Sequence, residues 1–317
     1  MGAKRHHFAL WALLAGGMLA LPLVVGSGTL RTLILANYLA IFAISWDMLS
    51  GRTGYISFGQ PFLIGIGAYT TAILSKRFGV PLELSIPAAV AMTMVGGLIV
   101  LLPALRIRGS YFALVTLALM ELCYQLVQVI RPDITGGTRG ISGLPTLTRG
   151  AWNGYYLSTG LMLAIALSAW MLMRTRLGLA LSAIGMDEGA VQGAGLSPTR
   201  LKSFAFLAGA FIAGLGGAFY THYLGSISPR ALFDIPFLFI ILAAALIGGS
   251  GTVIGPIFGA FFLTFLLEWL RPVLPGTERY FVYGLIALLL YMYQPAGIVA
   301  IVERGRARLL GHLQRIG

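Results

Sequence analysis

RTRLGLALSAIGMDEGAVQGAGLSPTRLK, residues 174–202, is a polar, basic island between two long apolar runs, 155–173 and 203–224. Each flanking run has about the 20 apolar residues that a bilayer core demands, so each reads as a membrane-spanning helix and the island as the loop between them. Residues 187–195 within it read as a two-turn helix with marked ends. Asp187 suits the N-cap, Glu188 puts negative charge in the first turn, and Gly195 suits the left-handed position past the last turn. Pro198 follows where a helix should already have stopped. So short a helix is not stable alone in water and needs a surface to lean on. Arg174, Arg176, Arg200 and Lys202 place the island on the cytoplasmic side. The alternative is an ordinary connecting loop with one helical turn.

The rest of the chain has the same character. It is 58% hydrophobic and only 10% charged, with mean hydropathy +0.87, whereas a soluble domain carries about 25% charged residues. The chain therefore reads as an integral membrane protein. Its apolar runs are continuous rather than alternating, which excludes an outer-membrane β-barrel. The 42 glycines and 14 prolines suit close helix packing and broken helices. Cys123 is the sole cysteine and lies in an apolar run, so neither a disulfide frame nor a zinc site is expected. The net charge of +12 is dispersed over short loops and the C-terminal tail. It points to anionic lipid headgroups rather than nucleic acid. The first apolar run, 8–25, lacks a clear cleavage site and reads as a retained span.

Ten segments are expected, at roughly 8–26, 31–49, 57–75, 84–102, 110–130, 155–173, 203–224, 236–250, 256–271 and 280–298. The fold class is all-α: a polytopic transmembrane bundle of about ten segments, some broken or re-entrant. It forms a single domain over 1–317, with short basic tails at 1–7 and 303–317. An even count puts both termini on one side. With the N-terminus inside, thirteen cations fall inside and nine outside, and both terminal clusters and the island lie within. The longest polar loops are 131–154, outside, and 174–202, inside.

Two stretches look broken: GYISFGQPFLIGIGAY (54–69) and IGGSGTVIGPIFGAFF (247–262). Each joins several glycines to a proline, Pro61 or Pro256, at the start of an apolar run. Free backbone groups at membrane depth are tolerated only inside protein or beside a watery cavity. Paired Gly/Pro-interrupted segments in two halves of a chain point to a translocation path, with Gly54, Gly59, Gly251 and Gly255 as its candidates. The alternative is close helix contact of the small-xxx-small kind, as at Gly255 and Gly259.

Glu121 is the acidic residue well inside an expected span, and an intramembrane carboxylate is by default a functional candidate. It lines a path or pairs with a polar neighbour; otherwise it is hydrogen-bonded to a loop such as 131–143. Asp47 and Glu268 sit near span ends, where a solvated or snorkelling role is expected. His6 and His7 are paired in the basic N-terminal tail, and His222 and His312 are isolated; no spacing suggests metal ligation. Neither a nucleophile elbow nor a Walker A loop is present, so the chain is not expected to be an enzyme. The glycine loop TGGTRGISGLP (135–145) reads either as a docking or plug element or as a flexible connector.

These stretches also carry a resemblance. RTGYISFGQPFLIGIGAYTTAIL (52–74), LPALRIRGSYFALVTLALMEL (102–122), TGGTRGISGLP (135–145), LGLALSAIGMDEGAVQGAGLSPTRLKSFAF (177–206), HYLGSISPRAL (222–232) and IGGSGTVIGPIFGA (247–260) follow in order. Together they resemble the LivM-type permease of branched-chain amino acid ABC importers, from about residue 31 to 301. The resemblance implies a multi-pass subunit of the bacterial inner membrane with cytoplasmic termini, surrounded by membrane lipids and without nucleic acid. It implies three kinds of protein partner: a homologous second permease, two cytoplasmic ATPase subunits and a periplasmic substrate-binding protein. The resemblance further implies that this chain binds no cofactor and that ATP and Mg are used by the partner subunits. Asp187, Glu188, Gly189, Ala190, Val191, Gln192, Gly193, Ala194 and Gly195 become the ATPase-coupling helix, and Glu121 coincides with a glutamate common in the family.

The chain departs from the family pattern at Gln60 with Pro61, at Ser110 and at Gly189–Gly193. These departures bear on the substrate, and relatives that carry urea or short amides stay open. A stand-alone secondary transporter would need more buried charges for a coupling ion. A structural scaffold would need no cytoplasmic lever.

Overall fold

The structure is a computed structural model, and it describes residues 16–104 and 110–274 together with isolated positions between 282 and 297. Most of the expected span 280–298 lies outside the described residues, as do residues 8–15 of the first span, the two tails with His6, His7 and His312, and Arg106 and Arg108.

Helix dominates for a plain physical reason: in lipid a backbone can satisfy its polar groups alone only as a helix. The first long helix, α1 (Ser27–Thr53), has no segregated polar face and is 89% buried along its membrane-crossing stretch. A helix without a polar face belongs at the centre of a bundle. It ends at Gly54, whose φ of 72° is the left-handed stop. A six-residue non-helical loop, 54–59, leads to α2 (Gln60–Arg77), with Pro61 in its first turn. Then come α3 (Leu82–Ala104), α4 (Ser110–Val129) and the single turn α5 (Pro132–Thr135). β1 (Ile141–Ser142) is followed by α6 (Ala151–Met173). The island holds α7 (Arg176–Met186) and α8 (Glu188–Gly193). After them lie α9 (Pro198–Leu224), β2 (Ser226–Ile227), α10 (Pro229–Phe233), α11 (Ile235–Gly248) and α12 (Ile254–Leu270).

Among the described residues, six helical stretches are long and apolar enough to cross a membrane: Ser27–Thr53, Leu82–Ile99, Tyr111–Val129, Ala151–Met173, Pro198–Leu224 and Pro229–Gly248. The expected spans at 57–75 and 256–271 are the helices α2 and α12, of 18 and 17 residues.

Around α1 pack α6, α9, α11 and α12, while α2 and α3 pack on α9. Little hydrophobic force acts between helices in lipid, so the seams rely on small residues and polar glue. Gly248 and Gly259 lie directly against the backbones of Gly255 and Ala244, bringing α11 and α12 together. Between α1 and α6, Asn37 Nδ2 donates to Ser158 Oγ (3.0 Å) and Thr159 Oγ1 (2.8 Å). An aromatic cluster joins α1, α9 and α11: Tyr220 stands edge-on to Tyr38 and Phe42, and Phe237 edge-on to Phe42.

The 27 residues of α9, about 40 Å of helix, separate the bundle's two ends. At its start lie α7, α8 and the loops 54–59 and 249–253. At its finish β1 pairs antiparallel with β2, Ile141 opposite Ile227, beneath the loop 131–150. That glycine loop is a tied-down cover. Gly136, Gly137, Gly140 and Gly143 all hold positive φ, and Gly140 lies against the Ile227 carbonyl where no Cβ fits. Buried His222 anchors it: Nδ1 donates to the Pro145 carbonyl (2.7 Å), leaving Nε2 to accept from Thr71 (2.8 Å).

Candidate functional site

The island forms a platform at one end of the bundle. Its first helix, α7, is not separately legible in the sequence; it buries Gly178, Leu181 and Ile184, a one-sided stripe at helical spacing. Gly185 rests on the Arg52 carbonyl at the end of α1, and Arg52 Nη1 donates to Ser182 Oγ (3.4 Å).

The second helix spans Glu188–Gly193 with the expected ends around it. Asp187 is the N-cap, its Oδ1 accepting from Gly189 N (2.8 Å) and Ala190 N (3.1 Å). Gly195 has φ 80°, and Leu196 N donates back to Val191 O (3.2 Å), which closes the C-terminal end. Val191 points inward and is buried, while Gly189, Ala190, Gln192, Gly193 and Ala194 are exposed. Met186 (89% exposed) and Leu196 (48%) stand at either end of this small-residue face.

Two residues hold α8 from beneath, both through its Glu188. Lys202 of α9 is buried, its side chain only 5% exposed, and its ammonium lies 2.6 Å from Glu188 Oε1. Tyr55 of the 54–59 loop donates its hydroxyl to Glu188 Oε2 (2.8 Å), and Lys202 Nζ sits 3.9 Å from the centre of the Tyr55 ring. In the sequence Lys202 stands out only as a topological cation, and nothing in the 54–59 stretch singles out Tyr55.

Both broken stretches lie at this same end. Phe58 N donates to Thr116 Oγ1 of α4 (2.9 Å), Ser57 N to Ser50 Oγ (3.1 Å), and Trp46 Nε1 to Ser57 O (2.7 Å). Side chains of α1 and α4 thus satisfy a backbone that could not otherwise sit in a bilayer. The second loop is held by Asp47, expected to be solvated but in fact 4% exposed, whose Oδ1 accepts from Gly251 N (2.6 Å). Of the four glycine path candidates, Gly54 ends α1, Gly59 abuts Thr116, Gly251 abuts the Gly51 carbonyl and Gly255 lies in the α11–α12 contact.

Glu121 lies near the middle of α4, whose membrane-crossing stretch is only 17% buried. It is exposed and accepts from Gln125 Nε2 (2.8 Å), one turn along the same helix. It therefore belongs to an outward face of this chain. Glu268 is exposed and lies 3.4 Å from Arg271, three residues on.

At the far end from α8, a cleft of about 370 Å³ lies between α1, α9, α11 and α12. Its walls include Tyr38, Phe42, Tyr220 and Phe237, with Glu268 and Arg271 beside them. None of the five path candidates lines it. Among the described residues no group of three or more His, Cys, Asp or Glu side chains could hold a metal ion.

A family model described as the permease component of the branched-chain amino acid transport system matches residues 28–292. The chain is similar to the high-affinity branched-chain amino acid transport system permease protein LivM of Escherichia coli K12. They are 28% identical over 309 residues, covering 88% of this chain and 72% of the relative. It is 25% identical over 269 residues to the probable branched-chain amino acid transport permease protein LivM of Methanocaldococcus jannaschii, covering 77% of each. Similarity extends to the ribose import permease protein RbsC of Haemophilus influenzae, 26% identical over 208 residues, covering 63% of this chain and 64% of the relative. No solved structure matches.

Proposed function

This chain belongs to the branched-chain amino acid transport system permease family, and from that premise we propose that it is the membrane subunit of an ATP-driven importer that carries branched-chain amino acids inward. Its partners in this reading are a homologous second permease, two cytoplasmic ATPase subunits and a periplasmic substrate-binding protein. ATP and Mg belong to the ATPase subunits.

The observation that carries the reading is the platform at α8. A six-residue helix with a capped N-terminus presents Gly189, Ala190 and Gly193 outward and is braced from beneath by Glu188 and Val191. A surface of small residues lets another protein's backbone approach closely, and the bracing makes it a lever rather than a frayed loop. With the island on the cytoplasmic side, as its cations favour, closure of the ATPases pushes on α8.

The outward face of α4 supports the second permease. A carboxylate facing lipid at mid-membrane costs about 2.5–3.5 kcal/mol. The Glu121–Gln125 pair is better accommodated against protein or a watery path at the interface with the partner. Substrate then passes along that interface.

The test is steric. Ala190 and Gly193 are exposed, and a Cβ at Gly193 meets nothing within 4 Å in this chain, so Gly193→Trp and Ala190→Trp are expected to leave the permease fold intact. In the reconstituted importer we expect both to hold the ATPases away, to abolish stimulation of hydrolysis by the binding protein and to collapse uptake. Full stimulated hydrolysis and full uptake in both variants would place the motor elsewhere. A substrate panel of branched-chain amino acids, urea, short amides and ribose tests the cargo. Failure to take up leucine, isoleucine or valine while another compound enters would overturn that part.

A further inference from the structure

We propose that Tyr55, Glu188 and Lys202 are a latch that makes the 54–59 loop and α9 follow α8, and so act as positioning residues for the conversion of ATP hydrolysis into transport. The inference rests on the reading of α8 as the motor-docking element.

The three residues come from three separate elements and close a triangle. Glu188 uses both carboxylate oxygens, one toward Lys202 Nζ (2.6 Å) and the other toward the Tyr55 hydroxyl (2.8 Å). The third side is the Lys202 ammonium 3.9 Å from the Tyr55 ring centre, within cation–π range. Lys202 is nearly as buried as the apolar core around it. An ammonium taken out of water is tolerated only when it is paired. If α8 moved while Lys202 and Tyr55 stayed, a buried cation would lose its counter-charge. The arrangement therefore penalises independent motion of the three elements.

What lies beyond the triangle gives the motion somewhere to go. The Tyr55 ring stands edge-on to Phe112 of α4, with centroids 5.9 Å apart. Farther along the loop, Phe58 N is hydrogen-bonded to Thr116 Oγ1, and Gly59 abuts Thr116. Five residues past Thr116, α4 carries Glu121 on its outward face. A displacement of α8 thus has a continuous route through Glu188, Tyr55 and the loop to α4, and a second through Lys202 to α9. A mere spacer could be built from apolar side chains, because replacing a buried ion pair by well-packed hydrophobic residues is often neutral or stabilising. A charged triangle with directional bonds fixes one relative position instead.

The experiment uses the complete importer reconstituted in proteoliposomes. It compares wild type, Tyr55→Phe and the double variant Glu188→Met with Lys202→Met. Bound ATPase, binding-protein-stimulated hydrolysis and substrate imported per ATP hydrolysed are all measured. Tyr55→Phe removes one oxygen and leaves the ring. It should retain ATPase subunits and hydrolysis but lower substrate imported per ATP about tenfold, the scale set by one hydrogen bond to a charged group. The double variant leaves no unpaired buried charge, so it should assemble yet stay uncoupled. A wild-type ratio in Tyr55→Phe overturns the latch. So does restoration of the ratio by the double variant, which a purely structural role would produce, and so does a loss of uptake explained by lost ATPase subunits. Failure of the docking reading is seen separately: Ala190→Trp would then keep full uptake, and the latch would fall with it.

Discussion

The seam between α2 and α9 gives the sharpest test of the packing. A Cβ built on Gly67 would lie 2.6 Å from the Gly214 carbonyl oxygen and 2.7 Å from Gly214 Cα, both backbone atoms that cannot rotate away. Ordinary C···O contacts begin at about 3.3 Å, so Gly67→Ala must part the helices by roughly 0.7 Å. Overpacking of this kind costs about 1–3 kcal/mol. One turn further along α2, Thr71 and His222 Nε2 are 2.8 Å apart. The same shift stretches that bond to about 3.5 Å, beyond hydrogen-bonding range, at a further ~0.5–1.5 kcal/mol. The sum is about 1.5–4.5 kcal/mol. The control is Gly160→Ala on α6, where a Cβ meets nothing within 4 Å and the exchange should stabilise by about 0.5–1 kcal/mol. Thermal unfolding of the two purified variants in one detergent compares them. At roughly 2 °C per kcal/mol, the low end for chains of this size, Gly67→Ala should melt at least about 3 °C below wild type. Gly160→Ala should melt at or slightly above wild type. If Gly67→Ala melted no lower than Gly160→Ala, the close approach of α2 and α9 would be refuted.

Two further outcomes are expected. Glu121→Gln keeps the size of the side chain and its place beside Gln125, so the assembly should form normally while uptake falls; normal uptake by a stably assembled variant would remove Glu121 from the path. In a Cys123→Ala background, Thr138→Cys and Gln192→Cys, exposed at opposite ends of the bundle, should label oppositely with an impermeant thiol reagent added to spheroplasts. The first should react and the second should not, and labelling of Gln192→Cys from outside would reverse the orientation and remove the docking argument.

What could be read without coordinates was local or one-dimensional. Hydropathy and the scarcity of charge fixed the membrane class, because a bilayer imposes length and polarity on each segment separately. The ends of α8 were legible too. Asp187 caps backbone groups two and three residues away, and Gly195 takes a left-handed turn within its own few atoms. The glycine–proline stretches marked where helices break, since φ preferences and missing donors belong to the residue itself.

The partners of those breaks were decided only by the tertiary structure. Asp47 finds Gly251 across 204 positions, and Tyr55 finds Glu188 across 133. By position along a span, Asp47 reads as a solvated end residue and Lys202 as one more cytoplasmic charge. The folded bundle buries both, and each then needs the partner it has. Desolvation, which turns a surface charge into a structural commitment, depends on what packs around a residue from every side. That quantity exists only once the helices have met.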